Sequence, residues 1–126
     1  MTLEISVRDS GKFVFSRLSG RLTDKDLFEA QDEFESRVAW TEGAAELIDL
    51  TDADLSGVSM KVMPELAERF RAYYEEAGVG HARVAICGPS DLQFGTGRVF
   101  EVWASRNDVP TVGIFRDRES AHRWLE

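Results

Sequence analysis

Apolar and polar residues alternate at the start of the chain, Leu3, Ile5 and Val7 against Glu4, Ser6 and Arg8. A period of two predicts a half-buried strand. Asp9-Ser10-Gly11-Lys12 makes a tight turn, with Gly11 able to take the positive φ that such a loop needs. Phe13, Phe15 and Leu18 continue beyond it, so residues 3–19 are predicted to form a β-hairpin closed by Gly20. The period then lengthens. Leu27, Ala30, Gln31, Phe34 and Val38 share one helical face, and Thr23 three residues before Asp26 is a weak capping box that opens the helix. The opposite face carries a run of charges, read as solvated.

Trp40 lies just past this helix, and a loop is expected over residues 41–45. Glu46-Leu47-Ile48-Asp49-Leu50 reads as a strand near the middle of a sheet, and residues 51–59 as a polar elbow after it. A second helix places Leu66, Phe70, Tyr73, Tyr74 and Ala77 on one continuous face, and Gly78-Val79-Gly80 stops it. Val84-Ala85-Ile86-Cys87 is wholly apolar, the mark of a strand covered on both faces. Gly88-Pro89-Ser90-Asp91 breaks that strand. A third helix is expected to begin between Leu92 and Gly97 and to end near Arg106, with Val99, Val102, Trp103 and Arg106 on one side. An interruption from Asn107 to Pro110 precedes a last strand, Thr111–Phe115. Asp117 then caps a terminal helix that points Ala121, Trp124 and Leu125 inward. The order ββαβαβαβα predicts a single α/β domain over residues 1–126. Its mixed, mostly parallel sheet has about five strands flanked by four helices.

Composition narrows the picture little. The chain is 43% apolar and 30% charged, an ordinary globular mixture. One cysteine, Cys87, forms no internal disulfide, and no apolar run is long enough to cross a bilayer. A cytoplasmic protein without integral membrane association is expected. The net charge of −8 repels phosphate backbones, so no nucleic-acid partner is expected.

Candidate chemistry is sparse. Asp49, Asp52 and Asp54 could ligate a hard cation, but Asp49 sits inside a strand and no glycine-centred calcium loop follows. Capping and turn formation account for them more simply. Ser56 and Ser90 lack a nucleophile elbow, and His81 and His122 have no evident partner. Gly95-Thr96-Gly97 lacks the remaining glycines and the lysine of a phosphate loop. Cys87 reads as an inert core thiol. No catalysis, cofactor or metal is expected. The three connections beyond the carboxyl ends of the parallel strands, at residues 51–59, 88–97 and 116–117, should share one rim. Six aromatics, Phe70, Tyr73, Tyr74, Phe94, Phe100 and Trp103, exceed what one buried face of each of two helices holds. The surplus suits a groove or an oligomer interface.

The order and the motifs together resemble the SpoIIAA-like branch of the STAS domains (sulphate transporter and anti-sigma-factor antagonist). Carrying the resemblance are the hairpin, Gly20-Arg21-Leu22-Thr23, Leu47-Ile48-Asp49-Leu50 and Arg83-Val84-Ala85-Ile86. It continues through Arg98-Val99-Phe100-Glu101 and Phe115-Arg116-Asp117 to Ala121-His122-Arg123-Trp124-Leu125. It implies a mixed sheet flanked by helices, no established catalysis, and similarity to lipid-carrying CRAL-TRIO domains. In regulatory STAS proteins an Asp-Ser-Ser/Thr-Gly turn follows the central strand, and its second hydroxyl is phosphorylated to break partner binding. Asp54-Leu55-Ser56-Gly57 keeps the aspartate, one serine and the glycine, with Ser56 on the phosphoacceptor position and Leu55 replacing the first serine.

Two functions are therefore expected in competition. The first is a non-catalytic module holding a small apolar or lipid-like ligand between the second and third helices, at the six aromatics. The second is a regulatory protein-interaction module, switched at Asp54, Ser56 and Gly57 and working on a partner protein. A homodimer is expected in either case, since open sheet edges and surplus apolar surface invite a second copy.

Overall fold

The computed structural model describes residues 1–40, 45–106 and 110–126; the central parts of the connections expected after Trp40 and from Asn107 lie outside them. The strands are β1 (Thr2–Arg8), β2 (Phe13–Thr23), β3 (Ala45–Asp49), β4 (Ala53–Gly57), β5 (Arg83–Cys87) and β6 (Thr111–Phe115). The helices are α1 (Asp24–Arg37), α2 (Met63–Glu76), α3 (Asp91–Ala104) and α4 (Arg118–Leu125). The sheet runs β1-β2-β3-β5-β6, and β1 is antiparallel to β2 while the other neighbours are parallel. The α/β architecture expected from the alternating pattern is what folds, with one strand more.

That sixth strand lies inside the elbow. β4 pairs in parallel with the far end of β2, Gly20 opposite Ala53 and Arg21 opposite Asp54. Its pattern is a short alternation, Ala53 and Leu55 buried against exposed Asp54 and Ser56. The hairpin consequently does not close at Gly20. β2 runs on to Thr23, and Gly20 supplies the bend, at φ 87°, where pairing passes from β3 to β4. The approach is tight: a Cβ on Gly57 would lie 2.8 Å from the Leu22 carbonyl oxygen.

Each helix starts where a cap allows. Thr23 and Asp26 form the predicted reciprocal capping box, with bonds of 2.9 and 3.2 Å. Ser90 and Gln93 form a second one, which starts α3 at Asp91, ahead of the expected window. Asp117 caps α4 as predicted. Ser59 caps the short 3-10 turn leading into α2, and Pro64 sits in the first turn of that helix.

One sheet face, carrying Leu18, Leu50, Val84, Ile86 and Ile114, packs against α1, α2 and α3. The alternate residues Phe15, Leu47, Ala85 and Cys87 point to the other face and pack on Ala121 of α4. Trp124 and Leu125 flank that second layer as expected. Two helix faces differ from expectation. α2 buries Met63, Ala67, Phe70 and Tyr74, whereas Ala77 is an exposed cap residue. α3 buries Gln93, Thr96, Gly97, Phe100 and Ala104, and leaves Val102 56% exposed. The reason is distance. α3 lies so close to the sheet that a Cβ on Gly97 would meet Ile114 Cδ1 at 2.5 Å, so mainly small residues face inward and larger ones outward.

Candidate functional site

Strand alternation brings Ser16 and Leu18 of β2, Glu46 and Ile48 of β3 and Ile86 of β5 onto the face beneath the three helices. Over them lie Ala30 and Gln31 of α1, Met63 and Phe70 of α2, and Thr96, Gly97 and Phe100 of α3. Ala30 is too short to fill the space between α1 and the sheet. A cavity of about 120 Å³ is left. Its wall is apolar except at four side chains: Ser16, Gln31, Glu46 and Thr96, all buried.

Glu46 is 1% exposed, and burial pushes its carboxyl well above the usual carboxylate range. A neutral acid is the state this surrounding favours. The hydroxyl of Tyr74, itself sealed from solvent, donates to Glu46 Oε1. Gln31 is 9% exposed, and its Nε2 has no hydrogen-bond partner among the described residues. Sequence signals for both existed: Gln31 falls on the apolar stripe of the first helix, and Glu46 shares a strand face with Ile48 and Leu50. Nothing linear shows that they meet across one cavity.

The six expected aromatics divide. Phe70 and Phe100 line the cavity and meet edge-on, ring centroids 5.2 Å apart. Tyr74 packs behind Phe70 at 4.8 Å and against Trp40 at 5.4 Å. Tyr73 accepts a hydrogen bond from Trp40 Nε1, and burial pushes its hydroxyl up to about 12. Phe94 is covered by the Arg116 guanidinium, 4.4 Å from its centroid, away from the cavity. Trp103 is covered by Arg106 at 4.0 Å and borders a separate cleft between α2 and α3 that is lined by Glu68 and Arg71. The apolar space thus lies between the sheet and the helices rather than between the second and third helices. Phe70 and Phe100 meet across the latter seam beneath that cleft.

The elbow residues stand apart from the cavity. Asp54 accepts from the Ser56 N–H at 2.9 Å, which holds its carboxyl below the ordinary range. Ser56 is exposed on β4 and caps no helix, and Gly57 abuts β2. Asp49 accepts from the Thr51 N–H at 2.9 Å and its hydroxyl at 2.5 Å, and stands 3.4 Å from Arg17 Nε. Asp49, Asp52 and Asp54 thus serve turns and ion pairs. Among the described residues no group of three His, Cys, Asp or Glu could hold a metal. Cys87 is buried, and burial pushes its thiol up to about 11, away from the reactive thiolate. The three strand-end connections do share a rim. Gln93 Nε2 donates to the Thr51 and Ala53 carbonyls at 3.2 and 2.9 Å, and Arg116 reaches Asp91 at 2.8 Å. These bonds knit the rim shut. No helix among the described residues is long and apolar enough to cross a membrane.

The fold and the cavity together define a small α/β module with helices on both faces of a mixed sheet. No family model matches the chain, and no curated protein does. Solved structures do. The chain is similar to an uncharacterized protein from the DUF3478 family with a SpoIIAA-like fold from Shewanella loihica PV-4. Identity is 26%, the TM-score is 0.55, and the match covers 98% of this chain and 94% of that one. The fold is SpoIIAA-like, as the motif order implied. That relative is itself uncharacterized, so the likeness carries the architecture and no activity.

Proposed function

We propose that the chain is a non-catalytic binding module that takes up a small apolar molecule between its sheet and α1–α3. The observation that supports this is the apolar cavity of about 120 Å³. Protein interiors are close-packed, and apolar wall left facing water costs about 25 cal/mol per Å². A ligand filling it recovers that cost. An engineered apolar cavity of about 150 Å³ binds benzene, which sets the scale. The occupant is therefore a single ring or a short chain, and the lipid-like reading narrows to molecules of that size.

Titration with toluene, followed by thermal unfolding and by methyl-region NMR, tests this. Stabilisation by about 2.7 kcal/mol is expected at a hundredfold excess over Kd. Ala30→Leu fills the cavity from α1 and should abolish the response. Toluene that leaves the melting temperature and the Leu18 and Ile86 methyl resonances unmoved refutes the reading.

A second reading, the protein-interaction switch, is supported by the exposure of Ser56 on β4. Phosphate there would add about −1.5 to −2 charges beside Asp54 and repel an acidic or apolar partner. Pull-downs comparing Ser56→Asp with Ser56→Ala decide it, and equal partner recovery ends it.

A further inference from the structure

Resting on the cavity reading, we infer that the ligand carries one uncharged hydrogen-bond-accepting oxygen, as a ketone or another small carbonyl compound does. That oxygen is held by Gln31 Nε2, with the rest of the molecule apolar. The inference stands on the contrast between the wall and its polar members. Gln31 projects from α1 into a space otherwise walled by residues such as Leu18, Ile86 and Phe100. It is 9% exposed and its Nε2 is unpartnered. Native interiors keep few buried donors unpaired, because each forfeits its hydration without replacement. The Gln31 side chain lines the cavity, and its orphaned nitrogen is explained if the bound state turns it onto an acceptor there.

The other polar members fix the ligand's charge. Glu46 has Oε1 engaged by Tyr74 in a surrounding that favours the neutral acid. An anionic ligand would bury a negative charge in an apolar space with no cation among the described residues of its wall. A purely apolar ligand would leave the Gln31 donor orphaned. A neutral carbonyl compound meets the donor and satisfies the apolar wall together. The buried hydroxyls of Ser16 and Thr96 are two further groups able to donate to it.

The test uses two probes of the same size, cyclohexanone and methylenecyclohexane, which differ by a carbonyl oxygen against a methylene group. Affinities for the full chain and for Gln31→Met are measured by NMR titration, since methionine keeps length and apolar bulk while removing the donor. Cyclohexanone should weaken about tenfold in Gln31→Met, the worth of one hydrogen bond. Methylenecyclohexane should hold or improve. The carbonyl stretch of bound, isotope-labelled cyclohexanone should shift to lower frequency in the unaltered chain, a readout that needs no variant. If methylenecyclohexane binds and cyclohexanone shows neither the shift nor the dependence on Gln31, the inference falls while the cavity reading stands. Stronger binding of cyclohexylammonium than of cyclohexanone also overturns it, since Glu46 would then act as an anion. If no probe binds, both readings fall.

Discussion

The hydroxyl of Tyr74 on α2 donates to the carboxyl of Glu46 on β3, 28 residues earlier, with both side chains sealed from solvent. One bond thus fastens a helix to the centre of the sheet and satisfies an acid where water does not reach. Removing only the donor should be costly. Tyr74→Phe leaves the Glu46 oxygen buried without its partner, a loss of about 1–3 kcal/mol. Glu46→Gln keeps an acceptor for Tyr74 and should be milder. Urea unfolding of the two variants checks the order, and a Tyr74→Phe protein as stable as its parent contradicts it.

The same acid dictates a pH dependence. Burial raises the folded-state affinity of Glu46 for its proton well above that of a free carboxyl, near 4.5. The stabilisation this represents is fully present below the unfolded pKa, and it is lost as pH rises through the folded value. Glu46→Gln lacks that loss. The variant should therefore gain on the parent steadily as pH climbs from about 4.5 toward neutrality. Asp26, Asp54 and Asp117 are shifted the opposite way by N–H donors, act near and below 3.8, and are common to both proteins. Denaturant melts across that range suffice. Parallel stability profiles would show that Glu46 titrates as a free carboxyl.

Much of this architecture is legible in the chain because it is local. The alternation of Leu3, Ile5 and Val7, the apolar run at Val84–Cys87 and the Thr23–Asp26 cap each depend on neighbours within a few residues. β4 escapes because Asp54, Ser56 and Gly57 have poor strand propensity, and the partnership with Arg21 and Thr23 that overrides it is tertiary. The inward face of α3 escapes for a related reason: how close a helix can sit depends on Gly97 meeting Ile114, which no periodicity encodes. The cavity is the extreme case. Gln31 and Glu46 are visible as polar residues in apolar positions, yet the space they line forms only where three helices meet the sheet.

At the elbow, neighbouring residues should behave oppositely. A Cβ on Gly57 would press the Leu22 backbone oxygen at 2.8 Å, and a carbonyl in a paired strand has little freedom to yield. Gly57→Ala should destabilise by about 1–3 kcal/mol. Ser56→Ala should stay within about 0.5 kcal/mol, because Ser56 is exposed and caps nothing. Ser59→Ala removes the oxygen that accepts from the Lys61 N–H and should cost about 0.5–2 kcal/mol. Thermal melts of the three variants rank them. A Ser56→Ala loss as large as that of Ser59→Ala would restore Ser56 as a structural cap.

The two edges of the sheet are guarded unequally. Among the described residues β6 pairs only with β5, yet its Ile114 N–H is not free: Glu101 Oε2 on α3 accepts it at 3.0 Å. Arg98 holds the same carboxylate in place, its Nη1 3.0 Å from Oε1. An incoming strand would have to displace Glu101 before it could pair with β6. β1, at the opposite edge, alternates Leu3 and Ile5 with Glu4 and Ser6, and a second copy that added a strand to the sheet would be expected there. Glu101→Ala should therefore do two things. It should cost about 1–3 kcal/mol through the orphaned Ile114 N–H, and it should raise self-association by opening β6. Glu101→Gln keeps an acceptor and should do neither to the same extent. Sedimentation velocity across a concentration series, run beside urea melts, reads both effects. A Glu101→Ala protein that loses stability without any change in association would mean that the carboxylate anchors α3 to β6 and does not guard the edge.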